Sequence, residues 1–530
     1  MKQLNSLTSW SVIAVIMLSI FSCKYYIKHD FRKAYTDVNE ALHNEVHNES
    51  FFKIHFNNGD VSVLNNWGVN ASQDSIFGSG QLYDFNRWKI QEGLLAFNID
   101  DIAIIETNNL NAIKSKDKDR IAGLTILTAA NVAMNVVCIT NPKACFGSCP
   151  TFYIDDSDHV HDSRAEGFSN SISPSLEKHD LDMLQHRTSA PEFYLTMKNE
   201  AFETHSINKL AIEAVAIDKD KSVFHDSDGT YFQCGKLHSL QKARVENKDV
   251  RSAMSKIDEE EYFSLTDSTD LTKREELFFQ FDDVPDTDIG LVVNYRQTLL
   301  TTFLLYSGIA YMGDEVGDYF AKIETDSRLK KKLNDPFEKL GKVDLYVWDY
   351  KRSKWKFVEG LYETGPISKN LIFAPINNIK HEGGPLKMKI VMAKGLWRLD
   401  YLGLAEIEKE VEPLKISPSG IEVISGESYT VDDVKADDDN YLVSFPGDEF
   451  RFQFDLPEIS EYKEYELILS SQGYYLEWVR NEWLQEKNLP KFRKMLMNNK
   501  NTWKELALEF KTMEHEMETV FWNSTYSNIQ

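Results

Sequence analysis

The chain has 530 residues and a mass of 61.2 kDa, too long for one ordinary core, so several domains are expected. An apolar fraction of 42% with 12% aromatics is enough to bury sizeable cores and excludes disorder over most of the length. The net charge of −24 argues against a nucleic-acid partner and against broad adhesion to anionic headgroups, both of which need clustered Lys and Arg; it suits an exported, soluble body.

Residues 1–23 read as an export signal. Lys2 supplies a weak positive end, Trp10 to Phe21 is a mostly apolar run of about 12 residues, and Ser22 precedes Cys23. A membrane-spanning helix needs about 20. The segment "LSIFSC" resembles a bacterial lipoprotein signal, which implies that Cys23 is acylated, palmitate being one such chain, and becomes the mature N-terminus. The expected location is then the bacterial cell envelope, at the outer membrane, held by an N-terminal lipid. The alternative is an ordinary signal peptide or uncleaved anchor with a chance thiol.

Residues 24–50 form a polar tether, and 51–240 read as a β-rich N-terminal domain. Phe52, Ile54 and Phe56 alternate with polar neighbours, Asn58-Gly59 turns, and Val61 and Val63 return. Within this domain 121–139 is apolar over a helix length, yet Asn131 and Asn135 favour a buried helix over a transmembrane span. The polar stretch 241–276 reads as a linker. Residues 277–341 read as a strand plus helices, the first helix ending at Gly313. Leu386, Met388, Ile390 and Met392, then Phe450, Phe452, Phe454 and Leu456, alternate with polar residues and predict an antiparallel β-sandwich over 342–470. From Tyr474 to Trp522 the period turns helical, divided near Pro490, which makes 471–530 a helical tail. The expected class is α+β and multidomain.

The most unusual stretch is "NPKACFGSCPTFYI". Besides Cys23 the cysteines are Cys138, Cys145, Cys149 and Cys234, an even set that permits two disulfides with three connectivities in an oxidising compartment. Cys145 and Cys149 lack the Cys-x-x-Cys spacing of thiol oxidoreductases, but one helical turn brings them together. A structural disulfide or buried thiols is the plain expectation, with redox chemistry as the alternative. A metal site is the sharper one: Cys145, Cys149, His159 and His161 number four ligands, although zinc sites separate their histidines more widely. "TFYIDDSDHVHDS" reads more simply as strand, acidic turn and strand.

"CFGSCPTFYI" resembles the CFGxCPxY motif of an uncharacterised domain family common in exported Bacteroidetes proteins, through Cys145, Phe146, Gly147, Cys149, Pro150 and, shifted by one residue, Tyr153. The resemblance implies an envelope location and a β-rich domain, and supplies no reaction and no catalytic residues.

Other candidates are plainer. "DKDKSVFHDSDG" lacks the acid spacing of a calcium loop, and Asp228-Gly229 reads as a hairpin turn. His43 and His47 have no evident third ligand. No phosphate loop, dinucleotide fingerprint or nucleophile elbow occurs, so no cofactor and no catalytic residue is predicted. Trp355, Trp397 and Tyr401 offer rings on which sugars stack, against the reading that they fill a core. The expected role is structural or interaction-based, with other envelope proteins or glycans as partners. A carbohydrate-binding accessory protein and a thiol- or metal-dependent enzyme are the alternatives.

Overall fold

The computed structural model describes residues 52–56, 60–70, 75–83, 89–98, 101–107, 149–154 and 163–514, save positions 259, 286, 363–364, 377–383, 427, 439, 479–482 and 484–485. These residues are mostly strands in antiparallel sheets, with a few helices, some near the C-terminus. They divide into two compact units, one within 1–130 and 314–325, the other within 131–313 and 326–530. Among the described residues no helix is long and apolar enough to cross a membrane.

In the first unit, β1 (Phe52–Phe56), β2 (Val61–Asn70), β3 (Ser75–Tyr83), β4 (Lys89–Asn98) and β5 (Ile102–Thr107) form one sheet in the order β4-β3-β2-β1-β5. The alternation read from the sequence puts Ile54 and Phe56 in its core beside Leu64, Trp67, Ile76 and Leu95. The Phe56 amide donates to the Asp60 carbonyl at 3.0 Å and closes the first hairpin.

The second unit begins with β6 (Thr151–Ile154), β7 (Ser163–Glu166), β8 (Lys178–Thr188), β9 (Glu192–Lys198), β10 (Glu203–Asp218), β11 (Ser222–His225), β12 (Tyr231–Ser239), β13 (Lys242–Val245), β14 (Lys248–Asp249), β15 (Arg274–Phe281) and β16 (Ile289–Gln297). Helices α1 (Leu300–Met312) and α2 (Ser327–Leu340) precede β17 (Val343–Asp349), β18 (Lys354–Leu361), β19 (Asn370–Ile376), β20 (Leu386–Ala393) and β21 (Trp397–Val411). The chain ends through β22 (Leu414–Ile416), β23 (Gly420–Ser425), β24 (Leu442–Ser444), β25 (Glu449–Asp455), β26 (Lys463–Glu477), α3 (Leu489–Leu496) and α4 (Lys500–Lys511).

The sheets run β23-β25-β9-β6-β7, β22-β10-β26-β8 with β24 also on β10, β11-β12-β21-β16-β19, and β14-β13-β15-β20-β17-β18. Leu195 and Met197 of β9 and Phe450, Phe452 and Phe454 of β25 share one core with Leu210 and Ile212 of β10 and Leu467 of β26. The other face of the β10–β26 sheet shares a second core, through Met183, Val215, Ile217 and Ile468, with Phe232 and Phe373. The long β10–β26 pair is therefore buried on both faces.

Several expected boundaries differ from this arrangement. The stretch 241–276 is no linker: it carries β13 and β14, joins β15 in a sheet, and buries Met254 and Leu271 completely. Its composition is polar because these strands wet one face and their loops insert single apolar residues. The strands expected over 342–470 form, yet they are shared out. β25 pairs with β9 and β26 with β10, so sequence-distant segments complete the same sheets rather than separate domains. The expected helix from Tyr474 is the end of β26, whose register holds through Glu477 opposite Glu203. Pro490 sits in the first turn of α3, where a missing amide costs nothing, behind the Asn488 cap. As expected, α1 ends at Gly313, with φ of 57°. The apolar segment 121–139 lies outside the described residues.

Candidate functional site

A cavity of about 520 Å³ opens between the start of β10, the end of β26, α1, α2 and the segment around Gly365. That is the volume range of small-ligand sites. Its floor is polar and buried: Glu203, Gln297 and Glu477 line it, each no more than 5% exposed. Tyr306, Tyr362 and Tyr475 supply aromatic walls, while Lys178, Glu338 and Lys342 are exposed at the mouth.

The antiparallel register puts Glu203 directly opposite Glu477. Such partners have Cβ atoms about 4.5–5.5 Å apart, so the two carboxyl groups share one end of the cavity. Glu203 is held from below: its Oε2 accepts from the Cys149 amide at 2.8 Å and from His205 Nε2 at 3.1 Å. Burial pulls the His205 imidazole down to about 3, so this contact is a hydrogen bond from a neutral ring and not an ion pair. The Nδ1 of that ring then accepts from Ser444 Oγ at 3.3 Å. Asn199 Nδ2 donates to the carbonyls of Glu203 at 2.9 Å and Ser444 at 3.1 Å, which ties the head of β10 to β24.

Tyr475 reaches the same floor. Burial, and then the nearness of Cys149, Glu203, Glu477 and Tyr306, pushes its phenol well above the usual range, and its hydroxyl donates to the Ser169 carbonyl at 3.2 Å. Ser169 follows Phe168, whose left-handed backbone (φ 41°) is secured by its amide donating to Asp180 Oδ2 at 2.7 Å. The opposite wall is fixed by Glu166, whose Oε2 accepts from the amides of Ile367 at 2.8 Å and Ser368 at 3.3 Å. Gly365 has φ of 102°, and a Cβ there would meet the Glu166 carboxylate. Arg296 Nη1 donates to the Pro366 carbonyl at 3.0 Å while its other nitrogens grip Glu261.

The motif stretch reaches the site through the backbone amide of Cys149. Cys149 is buried with φ of 66°, an unusual left-handed conformation for a side-chain-bearing residue, and its amide is the donor to Glu203. Tyr153 follows on β6, its hydroxyl bonded to Glu200. Of the other residues singled out in the sequence, Cys23, Cys138, Cys145, His43, His47, His159 and His161 lie outside the described residues. Cys234 is a buried thiol of β12, raised to about 12 by burial and the nearby Glu408. The Asp226–Gly229 segment is the expected turn: Asp226 Oδ1 accepts from the amides of Asp228 at 3.0 Å and Thr230 at 2.8 Å.

The candidate sugar-stacking rings do not converge. Trp397 is 1% exposed, between Tyr295 at 5.5 Å and Tyr362 at 6.1 Å, so it is core. Tyr401 does not share its face, because β21 is irregular between Leu399 and Tyr401: the extra residue, Asp400, turns inward and Tyr401 turns half out. Trp355 stands on a different sheet, half-exposed. Sequence reasoning missed Glu203, His205, Gln297, Tyr475 and Glu477. Its one usable signal was "FETHSINKLAIEAVAID", where acidic and histidine side chains head a strand too long and apolar to be wet.

No family model matches the chain, and no curated protein does. Among solved structures the secreted serine protease VesC from Vibrio cholerae is similar at 9% identity and a TM-score of 0.12, over 43% of this chain and 48% of that one. The chain thus spans about half the length of that protease, and the likeness is too slight to bear on fold or chemistry.

Proposed function

We propose that this is an exported, lipid-anchored protein of the bacterial envelope that acts by binding, and that the second unit takes a small polyhydroxylated ligand, a sugar, in the cavity. The reading rests on one observation: a cavity of about 520 Å³ that sets the buried carboxylates of Glu203 and Glu477 and the amide of Gln297 against tyrosine rings. Carboxylates and amides accept and donate to vicinal hydroxyls, and aromatic faces stack on the apolar faces of pyranose rings. The export signal ending at Cys23 and the CFGxCPxY resemblance support the envelope setting, and the finer picture of layered β-sandwich packing goes with it.

Titration calorimetry against a panel of mono- and disaccharides is the test. At least one member should bind, and Glu477→Gln, which keeps shape and removes charge, should weaken it about tenfold or more. Absence of binding across the panel ends the reading. A second reading, glycoside hydrolysis, is favoured only by the opposition of Glu203 and Glu477, since a pair of carboxyl groups flanking the scissile bond does that chemistry. Release of the aryl group from aryl glycosides, lost in both Glu→Gln variants, would replace binding by turnover.

A further inference from the structure

The outward face of the sheet β14-β13-β15-β20-β17-β18 carries a row that crosses five strands. Arg244 lies opposite Phe278, Phe278 opposite Lys389, Lys389 opposite Tyr346, and Tyr346 opposite Phe357. Lys389 Nζ sits 5.8, 5.2 and 5.3 Å from the ring centres of Phe278, Tyr346 and Trp355, and the Arg244 guanidinium 5.6 Å from Phe278. The neighbours of the row in sequence, such as Leu277, Phe279, Leu345 and Met388, are buried on the other face, so the row lies on the solvent side, with Phe278, Lys389 and Tyr346 half-buried in it. Arg244 is exposed, and Phe357 at the sheet edge is 52% exposed.

Charge on this face runs against that of the chain. Glu276 is taken up by Lys389 at 2.5 Å and Asp344 by Arg274 at 3.2 Å. Lys242 and Lys387 are exposed and form no ion pair among the described residues, and exposed Arg244 stands opposite Asp249 in the β13–β14 register, in a protein of net charge −24. Rings alternating with cations across strands about 4.8 Å apart suit a polymer of flat apolar faces bearing isolated anions.

We propose that this face binds an extended acidic glycan, a chain of pyranose rings carrying separate carboxylates. Its rings lie on Phe357, Trp355 and Tyr346, and its carboxylates meet Lys242, Arg244 and Lys387, the guanidinium in bidentate fashion. An acidic peptide would instead add main-chain hydrogen bonds along a sheet edge, and this row crosses the strands. Single-stranded nucleic acid brings a phosphate at every step, which the overall charge opposes. The proposal stands apart from the cavity.

The test is binding of hyaluronate, whose carboxylates fall on alternate rings, to the full chain at low salt by titration calorimetry, with amylose, poly-glutamate and oligo-dT alongside. The doubly substituted Arg244→Gln/Phe357→Ser protein changes side chains outside the cores and the cavity, so it should remain folded by circular dichroism and keep any sugar binding in the cavity. Hyaluronate should bind the unmodified protein, about tenfold or more tighter than the other three, and the substituted protein about tenfold or more weaker. No binding of hyaluronate overturns the proposal. So does equal binding by the substituted protein, or poly-glutamate, oligo-dT or amylose binding as tightly.

Discussion

His205 gives the site a signature in the pH dependence of stability. The ring is fully buried, and burial lowers it from 6.5 to about 3, whereas in the unfolded chain it titrates at its ordinary value. Between those values the unfolded state binds the extra proton. The contribution of the neutral ring is therefore complete above about pH 6.5 and is lost as the pH falls towards 3. At about 1.4 kcal/mol per pH unit, going from pH 6.5 to 5 removes about 2 kcal/mol. Asp180 and Asp400 act in the opposite sense. Burial pushes each up from 3.8 to about 6, so each costs stability above that pH, and the cost is relieved as the pH falls from 6 towards 3.8. The whole-protein curve is thus composite, and a difference between two proteins isolates the histidine. His205→Gln keeps a neutral donor for Glu203 and an acceptor for Ser444 but cannot titrate. Urea unfolding followed by fluorescence at pH 6.5 and 5 should show the natural protein losing about 2 kcal/mol more than the variant. Parallel pH profiles for the two proteins would refute the neutral, buried ring.

Other consequences follow from the same contacts. Gly365→Ala pushes a methyl group into the Glu166 carboxylate at a left-handed φ of 102°; it should cost about 1–3 kcal/mol and reduce hydrogen-exchange protection of the Ile367 and Ser368 amides, and unchanged protection would count against that strap. Phe452→Ala removes a fully buried ring from the core shared by β9, β25, β10 and β26, and should lower unfolding free energy by about 3–5 kcal/mol; a loss below about 1 kcal/mol would mean the packing is wrong. Cys23→Ser should abolish membrane association or stop signal processing, and unaltered processing with membrane retention would remove the lipid anchor.

The strands were legible wherever one face is wet. Phe450, Phe452 and Phe454 alternate with polar residues because β25 shows water one side, and the pattern named the right residues. Pairing was not legible. Alternation says that a strand is half-buried and is silent about which distant strand covers it, so β9 with β25 looked like members of two domains. Single irregularities also escaped: the extra residue at Asp400 in β21 flips the face of Tyr401, and nothing in "WRLDY" announces it. At the cavity the difficulty is deeper. Glu203, His205 and Glu477 sit where a strand should be apolar, and period-based reading counts such residues as evidence of a wet face or, in "GYYLE", of a helix. Local pattern reports the average environment of a segment, and the polar floor of a cavity departs from that average.

That departure explains the odd motif better than the motif explains itself. Glycine and proline around Cys149 looked like punctuation before a strand, and they are, since β6 begins at Thr151. Yet a turn needs no cysteine with a φ of 66°, and a left-handed conformation costs about 1 kcal/mol or more at a residue with a side chain. What the conformation achieves is to aim the Cys149 amide at Glu203 Oε2, the oxygen that His205 also holds. Two donors from different elements, one from the loop before β6 and one from β10 itself, fix the orientation of a carboxyl group on the cavity floor. A left-handed backbone that positions a buried acid does more than turn a corner, and it ties the most unusual stretch of sequence to the cavity floor by a bond of 2.8 Å.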